Sequence, residues 1–201
     1  MKKTFGIIGA GNIAKAVSIH LLKAGYSVIL SSRKDPSEIA KTIASLGSGA
    51  KAGTPAVAAQ ADIVILAMPW SQLSTLSGLP NWNNRIIIDA TNHYVAFVPD
   101  LQVADLGGRA SSEVVADYVP GARLVKAFNT LYYKLLEMNP QSENGKRVLF
   151  ISGNHPDANK EISDIVDSMG FAPIILGTLA TGGKLQQAKG PLSGVNLIKQ
   201  S

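Results

Sequence analysis

Cysteine is absent from this 201-residue chain, which removes disulfides, thiolate metal sites and cysteine nucleophiles together. No metal site is expected. No stretch approaches the ~20 consecutive apolar residues that a membrane-spanning helix needs. Met1-Lys2-Lys3 precedes an apolar run, but Gly9, Gly11, Asn12 and Lys15 interrupt that run too early for a signal peptide. The expectation is a cytoplasmic protein with no membrane partner. A net charge of +5 comes without any Lys/Arg block, so it suits anionic small molecules and argues against nucleic acid as a partner. With 46% hydrophobic and 16% charged residues, the chain is neither disordered nor fibrous, and it is long enough to bury one substantial core.

What is present is an alternation of apolar runs with helical patterns. The runs Thr4–Ile8, Ser27–Leu30, Ala50–Ala52, Ile63–Met68, Ile86–Asp89, Leu124–Phe128, Val148–Ser152 and Pro173–Leu176 read as strands. Several are continuous apolar stretches, as strands buried on both faces require. Between them, Ile13, Val17 and Leu21 mark a helix over 12–24, and Ile39, Ile43 and Leu46 mark another over 37–46, with Asp35 placed to cap it ahead of Pro36. Further helices are expected after Thr54-Pro55, from Ser111 to about Pro120, and from Asp157 to Met169. The fold class is α/β: a Rossmann-like, doubly wound, mostly parallel sheet of about eight strands with helices on both faces. Residues 1–201 form one domain in this reading, with a dinucleotide-binding core in 1–130 and extra strands, a helix and a glycine-rich tail in 131–201.

Gly9-Ala10-Gly11-Asn12-Ile13-Ala14 joins the first strand to the first helix. Gly9 allows a sharp turn off the strand, and Gly11 lets a pyrophosphate approach the amides of a helix N-terminus. Ala14 replaces the usual third glycine and still permits close helix–strand packing. The pattern predicts a nicotinamide dinucleotide. About 20 residues after such a loop, an NAD site places an acid on the ribose hydroxyls. Here Ser31, Ser32, Arg33 and Lys34 stand instead, a hydroxyl followed by two cations able to neutralise a 2′-phosphate, so NADP (as NADPH) is the expected cofactor.

Ligands in such sheets lie beyond the carboxyl ends of the strands. That rule nominates Pro69 and Trp70 after the fourth strand, Thr91, Asn92 and His93 after the fifth, and Asn129 after the sixth. Pro69 also serves to end a strand, Trp70 to fill a gap under a loop, and the two asparagines to cap turns. Two carboxamides at adjacent strand ends equally suit the amide of a nicotinamide.

Taken together, Gly-Ala-Gly-Asn-Ile-Ala at 9–14, Ser-Ser-Arg at 31–33, Met68-Pro69-Trp70, Asp89-Ala90-Thr91-Asn92 and Leu-Val-Lys-Ala-Phe-Asn-Thr at 124–130 resemble the coenzyme F420-dependent NADP oxidoreductases. The fold of that family is similar to the cytosolic oxidoreductase domain of the STEAP metalloreductases. The resemblance implies that Ser31, Ser32 and Arg33 hold the 2′-phosphate, Gly11 to Ile13 the pyrophosphate, and Pro69-Trp70 the surroundings of the nicotinamide. It also implies a homodimer and a deazaflavin (F420) or flavin as second substrate. His93 departs from the family, which often has proline after the asparagine.

The chemistry favours a ring-shaped acceptor. Hydride transfer between two stacked rings needs positioning and no dedicated acid. Carbonyl or imine reduction usually wants a placed proton donor, and no Tyr-x-x-x-Lys pair is present. His93, expected to face the site, is the candidate donor for that alternative. A non-catalytic NADP-binding redox sensor is a further alternative. No appended helical substrate domain is expected from this sequence, so the small-molecule acceptor's pocket is expected in the tail, a second subunit or the 93–110 connection. That connection is expected either to move at Gly107-Gly108 as a lid without regular structure or to be an ordered surface excursion.

Overall fold

Strand β1 (Thr4–Ile8) leads through the glycine loop into α1 (Asn12–Lys23), then β2 (Ser27–Ser31). A 3₁₀ turn at Pro36–Ile39 runs into α2 (Ala40–Leu46), followed by β3 (Ala50–Gly53), α3 (Pro55–Ala58) and β4 (Ile63–Leu66). A second 3₁₀ segment, Trp70–Gly78, precedes β5 (Ile86–Asp89). The short strands β6 (Tyr94–Ala96) and β7 (Gln102–Val103) come next, then α4 (Ser111–Tyr118), β8 (Arg123–Lys126) and α5 (Tyr133–Glu137). The chain closes with β9 (Gln141–Ser142), β10 (Gly145–Gly153), α6 (Pro156–Ser168), β11 (Ala172–Ile175), α7 (Gly182–Gln186) and β12 (Ile198–Lys199). This computed structural model describes residues 2–33, 35–79 and 81–200.

The main sheet has the order β11-β10-β8-β5-β4-β1-β2-β3. From β3 to β8 every pairing is parallel, the arrangement of a dinucleotide-binding sheet. Strand β10 then runs antiparallel to β8, and β11 follows β10 in the reversed direction. The reversal has a local cause: α5 is short and packs beside α1 rather than crossing the sheet, so the chain re-enters from the opposite end.

Period-two alternation fills both layers. Phe5, Ile7, Ile63, Ile65, Ile86 and Ile88 face α1 and α6, whereas Ile8, Val64, Leu66 and Ile87 face α3, α4 and Trp82. Continuous apolar strands are the consequence of two covered faces. Helix entries follow local chemistry. The Asp35 carboxylate accepts from Ser37 N at 2.8 Å ahead of Pro36, and Thr54 Oγ1 accepts from Val57 N at 3.2 Å ahead of α3.

Four expectations are corrected. Strand β4 ends at Leu66 rather than Met68, because Met68 and Pro69 turn away to line a cleft, and β8 ends at Lys126 rather than Phe128, whose φ is +65°. The 37–46 helix begins as a 3₁₀ turn. The 93–110 connection is not irregular: β6 and β7 pair antiparallel within it. Among the described residues no helix is long and apolar enough to cross a membrane.

His20 ties α1 to α5. Its Nε2 donates to Leu136 O at 2.6 Å, and its ring meets Phe171 edge-on at 4.9 Å. Burial holds its pKa below the ordinary histidine value despite the bond to Leu136, so the folded form is neutral. The unfolded chain takes up a proton near pH ~6.5 that the folded chain refuses, so this contribution to stability is intact above that pH and declines below it. We expect the thermal midpoint to fall between about pH 7.5 and about pH 5. His20→Gln, which keeps a donor for Leu136 without titrating there, should flatten part of that slope. A slope unchanged by the substitution contradicts the assignment.

Candidate active site

The glycine loop uses its two glycines for different reasons. Gly9 has φ +127°, its amide donates to Ser31 O at 3.0 Å, and a Cβ there would lie 2.0 Å from Ala67 O. The protein itself therefore requires this glycine. Gly11 caps α1 without any side-chain bond, and a Cβ there would meet nothing within 4 Å. The empty space fronts the orphan amides of the first helical turn, at Asn12 and Ile13, where a pyrophosphate fits.

Two cavities share Gly11, Ala67, Met68 and Pro69, so they form one cleft running over the carboxyl ends of the strands. The first, of about 530 Å³, is lined by Gly9, Ser32 and Arg33. It carries the hydroxyl and cation expected beside an adenosine 2′-phosphate. Ser31 is corrected: fully buried, its Oγ donates to Ile7 O at 2.9 Å and so serves the β1–β2 junction, not a ligand. Lys34 lies outside the described residues.

The second cavity, of about 620 Å³, is bounded by Met68, Pro69 and Trp70 after β4, by Ala90, Thr91 and Asn92 after β5, and by Asn129 after β8. Tyr94 and Phe97 of the hairpin, Tyr132 and Tyr133 around the start of α5, and Ser193-Gly194 of the tail complete its wall. Gly194 N donates to Thr130 O at 2.7 Å, which fastens the tail there.

The strand ends are pinned by a pair the sequence reading did not single out. Asp89 and Lys126 stand side by side in the β5–β8 register, both 0% exposed, with Lys126 Nζ 3.0 Å from Asp89 Oδ2. Asp89 also accepts from Ser112 Oγ at 2.5 Å and from Thr91 N and Oγ1 at 2.8 and 2.7 Å, while Lys126 donates to Thr91 O at 3.2 Å. Burial opposes the carboxylate's charge, but Lys126 and the bonds from Ser112 and Thr91 outweigh it, and Asp89 stays below the usual carboxylate range. Opposite charges at matched ends of two otherwise apolar strands were the sequence signal for this pair.

Three residues past that pair on each strand stand Asn92 and Asn129, and they bond each other. Asn92 Nδ2 donates to Asn129 O at 2.9 Å, and Asn129 Nδ2 donates to Asn92 Oδ1 at 3.1 Å and to Gln186 O at 2.8 Å. The bond to the Gln186 carbonyl fixes which end of the Asn129 amide is nitrogen. Asn129 Oδ1 is then buried without a partner among the described residues, although the side chain lines the cavity. One acceptor on Asn129 and the second amide hydrogen of Asn92 are what a nicotinamide carboxamide needs. Phe128, in the left-handed region one residue earlier, sets the turn that delivers Asn129; such conformations persist where the surroundings impose them.

His93 is corrected as a proton donor. It is 3% exposed, does not line the cavity, and lies behind Trp70, whose ring meets it edge-on at 5.9 Å. Burial, then the nearby Lys126, hold its pKa below the ordinary value against the pull of Asp89, and Lys189 adds to the lowering.

The two glycines should separate in a binding experiment. By calorimetry, Gly11→Ala is expected to keep the wild-type thermal midpoint while weakening NADP⁺ binding roughly tenfold or more, since its methyl intrudes where the phosphates approach the amides. Gly9→Ala should instead lower the midpoint. Full NADP⁺ affinity in Gly11→Ala contradicts the assignment of this loop.

Comparison with known proteins bears on the family and the fold. Residues 4–93 match the family model described as NADP oxidoreductase, coenzyme F420-dependent. The chain is 25% identical over 182 residues to Metalloreductase STEAP3 of Rattus norvegicus, covering 90% of this chain and 35% of that one. It therefore spans about a third of the length of this curated relative. A Sinorhizobium meliloti protein, SMa0349, is 40% identical with a TM-score of 0.92, covering 100% of this chain and 97% of that one. A candidate F420-dependent NADP reductase from Arthrobacter sp. FB24 shares the fold at 19% identity and TM-score 0.76, covering 89% and 86% of the two chains. Through residues 4–93 the chain is similar to the family of coenzyme F420-dependent NADP oxidoreductases, and over most of its length it shares their dinucleotide-binding fold.

Proposed function

We propose that this protein transfers a hydride between NADP(H) and a planar ring acceptor of the deazaflavin or flavin type. The observation that carries the reading is the polarity of the one continuous cleft. Its adenosine end holds Arg33, and its other end, walled by Trp70, Tyr94, Phe97, Tyr132 and Tyr133, is lined by no Asp, Glu, Lys, Arg or His among the described residues. A carboxylate-bearing carbonyl or imine substrate would be buried there without a counter-charge, at a large desolvation cost. Aromatic walls suit a stacked ring.

Each part of the chain has a task in this reading. Arg33 neutralises the 2′-phosphate, with Ser32 beside it, and the amides at Asn12 and Ile13 receive the pyrophosphate. The Asn92–Asn129 pair holds the carboxamide and so fixes the ring's rotation. Bound NADPH supplies the hydride from C4 of its dihydronicotinamide. Met68 and Pro69 exclude water from one side, leaving the opposite face, toward Trp70 and the tyrosines, open to an acceptor ring held at about 3 to 3.5 Å. No side chain is asked to deliver a proton to a deazaflavin or flavin.

Cofactor discrimination tests the reading. Arg33→Ala should weaken NADPH binding roughly ten- to hundredfold, the worth of one charge-assisted contact, and leave NADH nearly unchanged. Stopped-flow mixing of the NADPH-loaded wild-type protein with F420, FMN and FAD should reduce at least one of them. Equal losses for both nucleotides, or a loaded protein that reduces none of the three, defeats the reading.

A further inference from the structure

Among the described residues, the second cavity offers an incoming ring aromatic faces and hydroxyls, and no cation. Its described lining includes the phenols of Tyr94, Tyr132 and Tyr133 but no Lys, Arg or His. Among the described residues, the groups in the cleft able to hold phosphate are the amides after Gly11 and the Arg33 end, and both are engaged once the dinucleotide is bound. A flavin or deazaflavin therefore enters this cavity by its ring alone, its phosphorylated tail remaining outside in solvent. We infer that the cavity is also a binding site for a neutral quinone, stacked against Trp70 with its carbonyl oxygens accepting hydrogen bonds from the tyrosine hydroxyls.

This inference rests on the NADPH reading above and adds a second acceptor class to it. The reaction balances with reagents already named. One hydride leaves C4 of NADPH and reduces the quinone by two electrons, giving NADP⁺ and a hydroquinone monoanion; one proton, passed by a tyrosine hydroxyl and replaced from solvent, completes the hydroquinone. Tyr133 is the donor assigned, because it is half-buried and lines the cavity, whereas Tyr132 is 57% exposed and Tyr94 sits on the outlying β6–β7 hairpin. The 4.6 Å contact between the rings of Tyr132 and Tyr133 holds the Tyr133 ring in place.

Menadione and its sulfonated analogue test this directly, since they differ by one negative charge. Titrated into protein saturated with NADP⁺, where no turnover occurs, menadione should quench tryptophan fluorescence saturably. Trp70→Phe should abolish that quenching while the emission of Trp82 remains. The sulfonate should bind roughly tenfold or more weakly, because its charge would be desolvated without a partner. With NADPH, in the absence of air and of any flavin, menadione should be reduced one-to-one, and Tyr133→Phe should slow this roughly tenfold or more without altering NADP⁺ affinity. Equal binding of the two quinones, or a protein that holds NADP⁺ yet neither binds nor reduces menadione, overturns the quinone inference and leaves the NADPH reading standing. Failure to bind NADP⁺ overturns both.

Discussion

The buried contact between Asp89 and Lys126 is the constraint on which the site depends. Two full charges removed from water repay their desolvation only if every remaining valence is used, and here the carboxylate accepts from Ser112, Thr91 and Lys126 while the ammonium also reaches the Thr91 carbonyl. Losing one partner would strand the other charge at a cost of about 3–5 kcal/mol. Such a pair is weak evidence of net stability and stronger evidence of fixed geometry. It holds the ends of β5 and β8 level, and the Asn92–Asn129 pair inherits that alignment three residues later.

The rest of the molecule backs this arrangement from outside. Gln186 of α7 is fully buried, donates to the carbonyls of Phe150 and Lys126, and offers its own carbonyl to Asn129. The tail thus braces the reversed strand β10, the end of β8 and the cavity wall at once. The β6–β7 hairpin contributes Tyr94 and Phe97 while leaving Val98 83% exposed, so one short element supplies both cavity wall and apolar surface.

Much of this was legible in the sequence because local physics dictated it. Continuous apolar strands, a Gly-x-Gly turn before a helix, the Asp35 cap and the missing acid after β2 each follow from near neighbours. What escaped reading depends on distant ones. Ser31 resembles a ligand contact until β1 is seen to take its hydroxyl, and His93 resembles an exposed donor until Trp70 covers it. The β10 reversal hinges on α5, too short to leave a clear periodic signal. Asp89 and Lys126 were both visible, but their pairing is a matter of register between strands 37 residues apart in sequence. The free oxygen of Asn129 emerges only from the hydrogen-bond count.

In the function proposed, the site is a pre-set frame for a carboxamide, with Arg33 at one end of the cleft and, among the described residues, an uncharged aromatic chamber at the other. A crystal structure of the NADP⁺ complex measures this most directly. We expect the nicotinamide carboxamide nitrogen within hydrogen-bond distance of Asn129 Oδ1 and its oxygen within reach of Asn92 Nδ2. A nicotinamide lying elsewhere, with water satisfying Asn129 Oδ1, would contradict it.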